Sequence, residues 1–194
     1  INNKCFYEDL WEWDNVTSDW VVPTITDALG DGNPAARKQH GMVYDEDRDV
    51  VVLFGGMVEL PLGTACPDGS DSYPDDHFTP CFFNDHWEWH PSSGEWEKIV
   101  FADTGPDNYP EGRAGHGMAY DSHRQTIVMY GGAFETPGGT VCPATISEGS
   151  DGVLHGQNRC PFAQNWGVGS YEYGDIWEFN GVNWQRVIPE QRDD

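Results

Sequence analysis

One stretch of this chain occurs twice, and nothing else in the sequence constrains its fold as strongly. Residues 34–67 read PAARKQHGMVYDEDRDVVVLFGGMVELPLGTACP and residues 110–143 read PEGRAGHGMAYDSHRQTIVMYGGAFETPGGTVCP. The offset is 76 residues without a gap, and 17 of the 34 columns are identical. Self-similarity at a fixed offset is the signature of an architecture in which one supersecondary unit stacks on its own copies.

The repeat extends beyond this stretch. Residues 5–20, CFYEDLWEWDNVTSDW, align at the same offset with residues 81–96, CFFNDHWEWHPSSGEW, and a shorter third copy, GDIWEFNGVNW, covers 174–184. Asp9, Asp85 and Asp175 share a column, as do Trp11, Trp87 and Trp177, and each copy closes on a further tryptophan (Trp20, Trp96, Trp184). In WEW the aromatics alternate with Glu12 or Glu88, the period of a strand with one face buried. Asp14-Asn15, Pro91 to Gly94 and Asn180-Gly181 are hairpin turns. HGMVYD (40–45) and HGMAYD (116–121) read as strands, each followed by a polar turn. VVVLFGG (50–56) and TIVMYGG (126–132) are continuous apolar runs, which suit strands covered on both faces. Their double glycines, Gly55-Gly56 and Gly131-Gly132, let the backbone turn and approach a neighbour.

One unit therefore has four strands: HGM(V/A)YD, the apolar run ending in Gly-Gly, the DxWE(W/F) strand and the closing tryptophan strand. Four strands in this order, with a double glycine and spaced aromatics, resemble the kelch repeat from Cys5 to about Val187. The resemblance implies one β-propeller blade per unit. The expected fold is all-β, a kelch-type propeller segment of about two and a half four-stranded blades. Residues 1–33 would be the last two strands of a first blade plus a linker. Residues 34–109 form a second blade with an insert at 57–80, and residues 110–194 a third with a longer insert at 133–174. Propellers close with typically 4–8 blades. A segment that starts in mid-repeat is therefore expected to belong to a longer chain, or to assemble with other copies of itself.

Within this frame several columns read as scaffold: Arg37 and Arg113, His40 and His116, Gly55, Gly56, Gly131, Gly132, Trp87, Trp96, Trp177 and Trp184. Trp11, Trp87 and Trp177 are expected at equivalent buried positions. His40 and His116 are expected to hydrogen-bond a neighbouring blade, and Arg48 and Arg124 to hold the turn or the preceding Asp45 and Asp121.

The five cysteines follow the repeat. Cys66 and Cys142 lie ten residues after the second glycine; Cys5 and Cys81 lie four before the shared Asp. Cys66–Cys81 and Cys142–Cys160 are the expected disulfides, each clamping an insert. Cys5 is then unpaired within these residues, its expected partner being an upstream copy of the GTxCP segment. Such placement points to an oxidising compartment and a secreted or cell-surface protein.

A formal net charge of −23 excludes nucleic acid and anionic membranes as partners, because both need a basic surface. No run is long and apolar enough to cross a bilayer as a helix. In kelch propellers the inserts lie on the face that commonly binds partners. The aromatics Phe162, Trp166, Tyr171 and Tyr173 are candidate contacts for a protein or a glycan. Asp68, Asp71, Asp75 and Asp76 are weak calcium candidates by charge alone, and no other cofactor is indicated. His86 and His90 are four apart on one strand face, yet the equivalent positions hold Leu10 and Asp14, then Ile176 and Asn180, which excludes a repeated metal site. No catalytic residue stands out, since nucleophile elbows, zincin motifs and phosphate loops are absent. The leading expectation is a platform for protein or glycan binding. The alternatives are a self-assembling subunit of an extracellular polymer, or part of a galactose-oxidase-like oxidase or hydrolase with its catalytic residues elsewhere.

Overall fold

A computed structural model of the chain describes residues 6–67, 70–72, 78–101, 109–136 and 169–187. All regular structure among them is β. A short hairpin joins β1 (Glu12–Asp14) to β2 (Asp19–Val21). Next come β3 (Gly41–Asp45) and β4 (Val50–Phe54), then an excursion through β5 (Met57–Pro61), β6 (Ser70–Ser72) and β7 (Phe78–Phe83), and a return through β8 (His86–His90) and β9 (Glu95–Ile99). The pattern recurs as β10 (Gly117–Asp121) and β11 (Thr126–Tyr130), an excursion through β12 (Ala133–Thr136) and β13 (Gly169–Glu172), then β14 (Ile176–Phe179) and β15 (Trp184–Val187).

Two four-stranded antiparallel sheets result, β3-β4-β8-β9 and β10-β11-β14-β15. The excursions form separate small sheets, β5-β7-β6 and β12-β13. The registers of the two large sheets coincide: Gly41 faces Phe54 as Gly117 faces Tyr130, and Leu53 faces Trp87 as Met129 faces Trp177. Local chemistry explains the hairpins. The four-residue loops end on Ser18, Asp49, Gly94 or Gln125, each with φ between 54° and 68°. This left-handed residue lets the strands reverse. At the start of the β3–β4 loop, Asp45 Oδ1 accepts the N–H groups of Asp47 and Arg48, and Asp121 Oδ1 does the same for His123 and Arg124.

The main core lies between the two large sheets. Val50, Val52 and Phe54 of β4 pack on Ile127 and Met129 of β11, Trp177 and Phe179 of β14, and Trp184 of β15. The other face of the first sheet buries Leu53, Trp87, Trp89 and Trp96, partly under Leu10 and Ile25. β4 is thus covered on both faces, as its apolar run implies. β11 is covered on one. Its opposite face, here called the trailing face, presents half-buried Val128 and exposed Tyr130.

The expectation for the three Asp-x-Trp tryptophans holds for two. Trp87 and Trp177 are 3% and 2% exposed, whereas Trp11 is 50% exposed. Its indole N–H still donates to Asp9 Oδ2 at 2.6 Å, the bond that Trp87 makes to Asp85 and Trp177 to Asp175. The local motif forms without burial because β1 and β2 form a two-stranded sheet of their own, with no strand beside Trp11 to play the part of β4.

Candidate functional site

Each large sheet is held by one buried clasp. Arg37 precedes β3, and its guanidinium donates to Asp85 Oδ1 at 2.5 Å and Oδ2 at 2.8 Å, to the Gly55 carbonyl at 3.1 Å and to the Ala35 carbonyl at 2.9 Å. Arg113 repeats every contact, to Asp175 at 2.6 and 3.0 Å, to Gly131 at 3.1 Å and to Glu111 at 3.1 Å. Its side chain is fully buried. The guanidinium planes lie 3.8 Å from the Phe83 ring centroid and 3.9 Å from that of Tyr173. One side chain thus ties the incoming strap, the double-glycine turn and the start of the third strand. Asp175 illustrates the balance: burial raises its pKa, but the bonds from Arg113 and from the Trp177 N–H outweigh it and hold the carboxyl below the usual range.

Arg48 and Arg124 hold Asp45 and Asp121 as the sequence suggests, each at 2.7 Å. They also reach Glu88 and Glu178 on the third strand, both at 2.6 Å. The histidines behave differently from expectation. His116 packs edge-on to Phe54 across the sheet interface, and Nδ1 and Nε2 have no hydrogen-bond partner. Nδ1 of His40 is also without one. The role of His116 is packing rather than hydrogen bonding. Burial, with Arg113 and His40 nearby, pushes its pKa down to about 4.

The polar link between sheets comes instead from His86, which the repeat left without a role. Its ring is fully buried against Phe101, Phe179 and Trp184. Trp184 Nε1 donates to His86 Nδ1 at 3.1 Å, so the proton sits on Nε2, which donates to Glu88 Oε1 at 3.1 Å. Burial lowers the His86 pKa despite that carboxylate.

The open feature of the molecule is a groove of about 550 Å³ along the trailing face. Its floor is glycine backbone (Gly115, Gly117, Gly131, Gly132), and Tyr130 and Tyr173 flank it. Tyr130 is 59% exposed. Tyr173 is fixed between Arg113 and Phe134, and its hydroxyl donates to Glu111 Oε2 at 3.0 Å. Of the four sequence-predicted contact aromatics, Tyr173 therefore lines the groove. Tyr171 lies on β13 opposite Phe134, and Phe162 and Trp166 are outside the described residues. Tyr130 and the glycine floor were read only as strand and turn.

A disulfide joins Cys66 to Cys81 with Cα atoms 5.7 Å apart, closing the first excursion. Cys5, Cys142 and Cys160 lie outside the described residues, as do Asp68, Asp75 and Asp76, while Asp71 is on β6 opposite Phe82. Among the described residues, no group of three or more His, Cys, Asp or Glu is placed to hold a metal, and no helix is long and apolar enough to cross a membrane.

These features define an all-β protein of successive four-stranded antiparallel sheets. No protein-family model matches the chain, and no curated protein matches it. A solved structure of YjhT aligns with 93% of this chain and 38% of its own, at 13% identity and a TM-score of 0.47. The chain thus spans well under half the length of that structure.

Proposed function

We propose that the chain is a kelch-type β-propeller segment that works outside the cell as a binding platform for a protein or a glycan. The observation that carries the binding role is the trailing-face groove, in which an exposed tyrosine stands over a backbone floor with no side chains. An aromatic face and free backbone groups suit a neutral or basic ligand, and the net charge of −23 disfavours an anionic one. The kelch assignment is supported by the order of four strands per unit, the Gly-Gly turns and the Arg–Asp–Trp clasp found in both sheets. The extracellular assignment is supported by the Cys66–Cys81 bond.

The test is a binding panel of neutral oligosaccharides and basic or neutral peptides, run on the chain and on Tyr130→Ala. Binding that weakens at least about tenfold in the variant, about 1.4 kcal/mol, is the expected result. Absence of any ligand across the panel, or equal affinity in the variant, rejects the groove as the functional surface.

A further inference from the structure

The groove has a counterpart inside the molecule, and there it is filled. Gly117, Gly131 and Gly132 occupy the same columns as Gly41, Gly55 and Gly56. On the first sheet those glycines receive residues 113–118. The Gly56 N–H donates to the Arg113 carbonyl at 2.8 Å, and the Gly115 N–H donates to the Gln39 carbonyl at 2.8 Å. A Cβ added at Gly55 would lie 2.9 Å from His116 Cε1. One added at Gly41 would lie 2.6 Å from His116 Nε2 and collide with Met118 Sδ. The first sheet therefore accepts an extended segment that brings backbone bonds, an imidazole and a thioether.

The second sheet has the same receptor without the segment. Gly131 and Gly132 adopt φ of 71° and 93°, against 64° and 94° for Gly55 and Gly56. A Cβ at Gly115 or Gly117 would meet nothing within 4 Å, and one at Gly131 only the Tyr173 carbonyl at 3.4 Å. The Gly132 N–H has no acceptor among the described residues. Tyr130 is exposed where its counterpart Phe54 is fully buried.

We infer that the groove binds an extended polypeptide segment of the pattern Arg-x-x-His-Gly-Met, supplied by another polypeptide. This rests on the groove being the binding surface, as proposed above. The ligand's carbonyl at the Arg position accepts from the Gly132 N–H. Its N–H two residues on donates to the Gly115 carbonyl, the position of Gln39 on the first sheet. Its imidazole covers Gly131 and its thioether covers Gly117. Recognition is by strand-like backbone pairing with side-chain pockets at fixed offsets. Residues 37–42 of the same chain carry this pattern, but Arg37, His40 and Met42 line a narrow cleft with residues 7–10. The separate segment is therefore the committed occupant.

The experiment titrates a peptide with the sequence of residues 109–121 into the 194-residue chain and follows backbone amide resonances. An isolated segment loses conformational freedom on binding, so a dissociation constant on the order of 0.1–1 mM is expected. Shifts should centre on Gly115, Gly117, Gly131 and Gly132. Gly117→Leu should abolish them, because it fills the groove where no atom of the protein stands; Tyr130→Ala should weaken them several-fold. The peptide carrying His116→Asp and Met118→Asp should not bind. Absence of shifts at about 1 mM peptide, or undiminished binding in Gly117→Leu, overturns the inference. Oligosaccharides shifting these glycines where the peptide does not would overturn it while leaving the binding platform intact. Self-association lost in Gly117→Leu, without peptide binding, would make a folded second copy the occupant and would also overturn it.

Discussion

Replacing Arg113 by Met removes the only cation that faces Asp175 Oδ1 and Oδ2 in the clasp, together with its bonds to the Gly131 and Glu111 carbonyls. The Trp177 N–H then remains as the hydrogen bond on a largely buried carboxylate. Removing one partner of a buried ion pair costs about 3–5 kcal/mol, chiefly because the other charge is stranded. Urea slopes for small proteins are about 1–3 kcal/mol/M, and this chain lies toward the upper end by size. The urea midpoint, followed by tryptophan fluorescence, should therefore fall by about 1.5 M. Two controls test the cause. Asp175→Asn added to Arg113→Met should recover about half the loss, since a neutral amide oxygen still accepts the Trp177 N–H and no charge is stranded. The loss should also depend on pH. In the native protein the Asp175 carboxyl titrates below its ordinary value, so its stabilisation is present at neutral pH and is lost as pH falls through the folded pKa. In Arg113→Met burial acts with less opposition and raises that pKa. The cost of the variant should then shrink as pH falls from 7 toward about 4. A loss below about 1 kcal/mol, or an equal loss with and without Asp175→Asn, would refute the clasp as the element that holds the sheet.

The other expectations are simpler. His116 is neutral in the fold, with its pKa pushed down to about 4; its contribution is present above the unfolded value near 6.5 and is lost as pH falls from there toward 4. Up to about 3 kcal/mol should disappear over that window. His116→Asn should flatten the slope by one proton in urea melts at several pH values, and an unchanged slope would exclude His116 as its source. Gly41→Ala should destabilise by about 1–3 kcal/mol through overpacking against Met118 and His116. Gly117→Ala, in the same column, should be neutral or slightly stabilising in thermal melts; equal effects would deny that the two faces differ. Cys66→Ser should cost about 3 kcal/mol, the closure entropy of a 15-residue loop, and adding reductant to the native protein should reproduce it.

The strands were legible because each signal is local. Alternation in WEW, the unbroken apolar runs and the turn residues place the four strands per unit to within a residue or two. Arg37 and Asp85 stand out as repeated columns, yet their pairing is not readable, since the partners are 48 residues apart in one unit and 62 in the other. The excursion between them differs in length while the contact is kept. The His86–Trp184 bond left no trace in the repeat, because Leu10 and Ile176 occupy the histidine's column. Burial of Trp11 was misjudged because a column in a repeat carries the local hydrogen bond but not the neighbouring sheet. The groove was missed for the converse reason. Its glycines look identical to those of the filled site, and only packing tells occupied from open.

The columns that change between copies carry information that the identical ones lack. Phe54 and Tyr130 share a column and a register, each opposite the first residue of a third-strand pairing, His86 or Ile176. On the first sheet this pair is Phe and His, fully buried, with the imidazole accepting from Trp184 of the next sheet. On the second it is an exposed Tyr beside a half-buried Ile. Whatever packs there cannot repeat the tryptophan-to-histidine bond, because isoleucine offers no acceptor, and it must leave the Tyr130 hydroxyl a polar neighbour or water. Below that pair the glycine receptor is unchanged. The trailing face thus keeps the half of the interface that binds backbone and alters the half that binds a tryptophan. That combination favours a ligand held through its main chain along the glycines over a docked copy of the whole sheet.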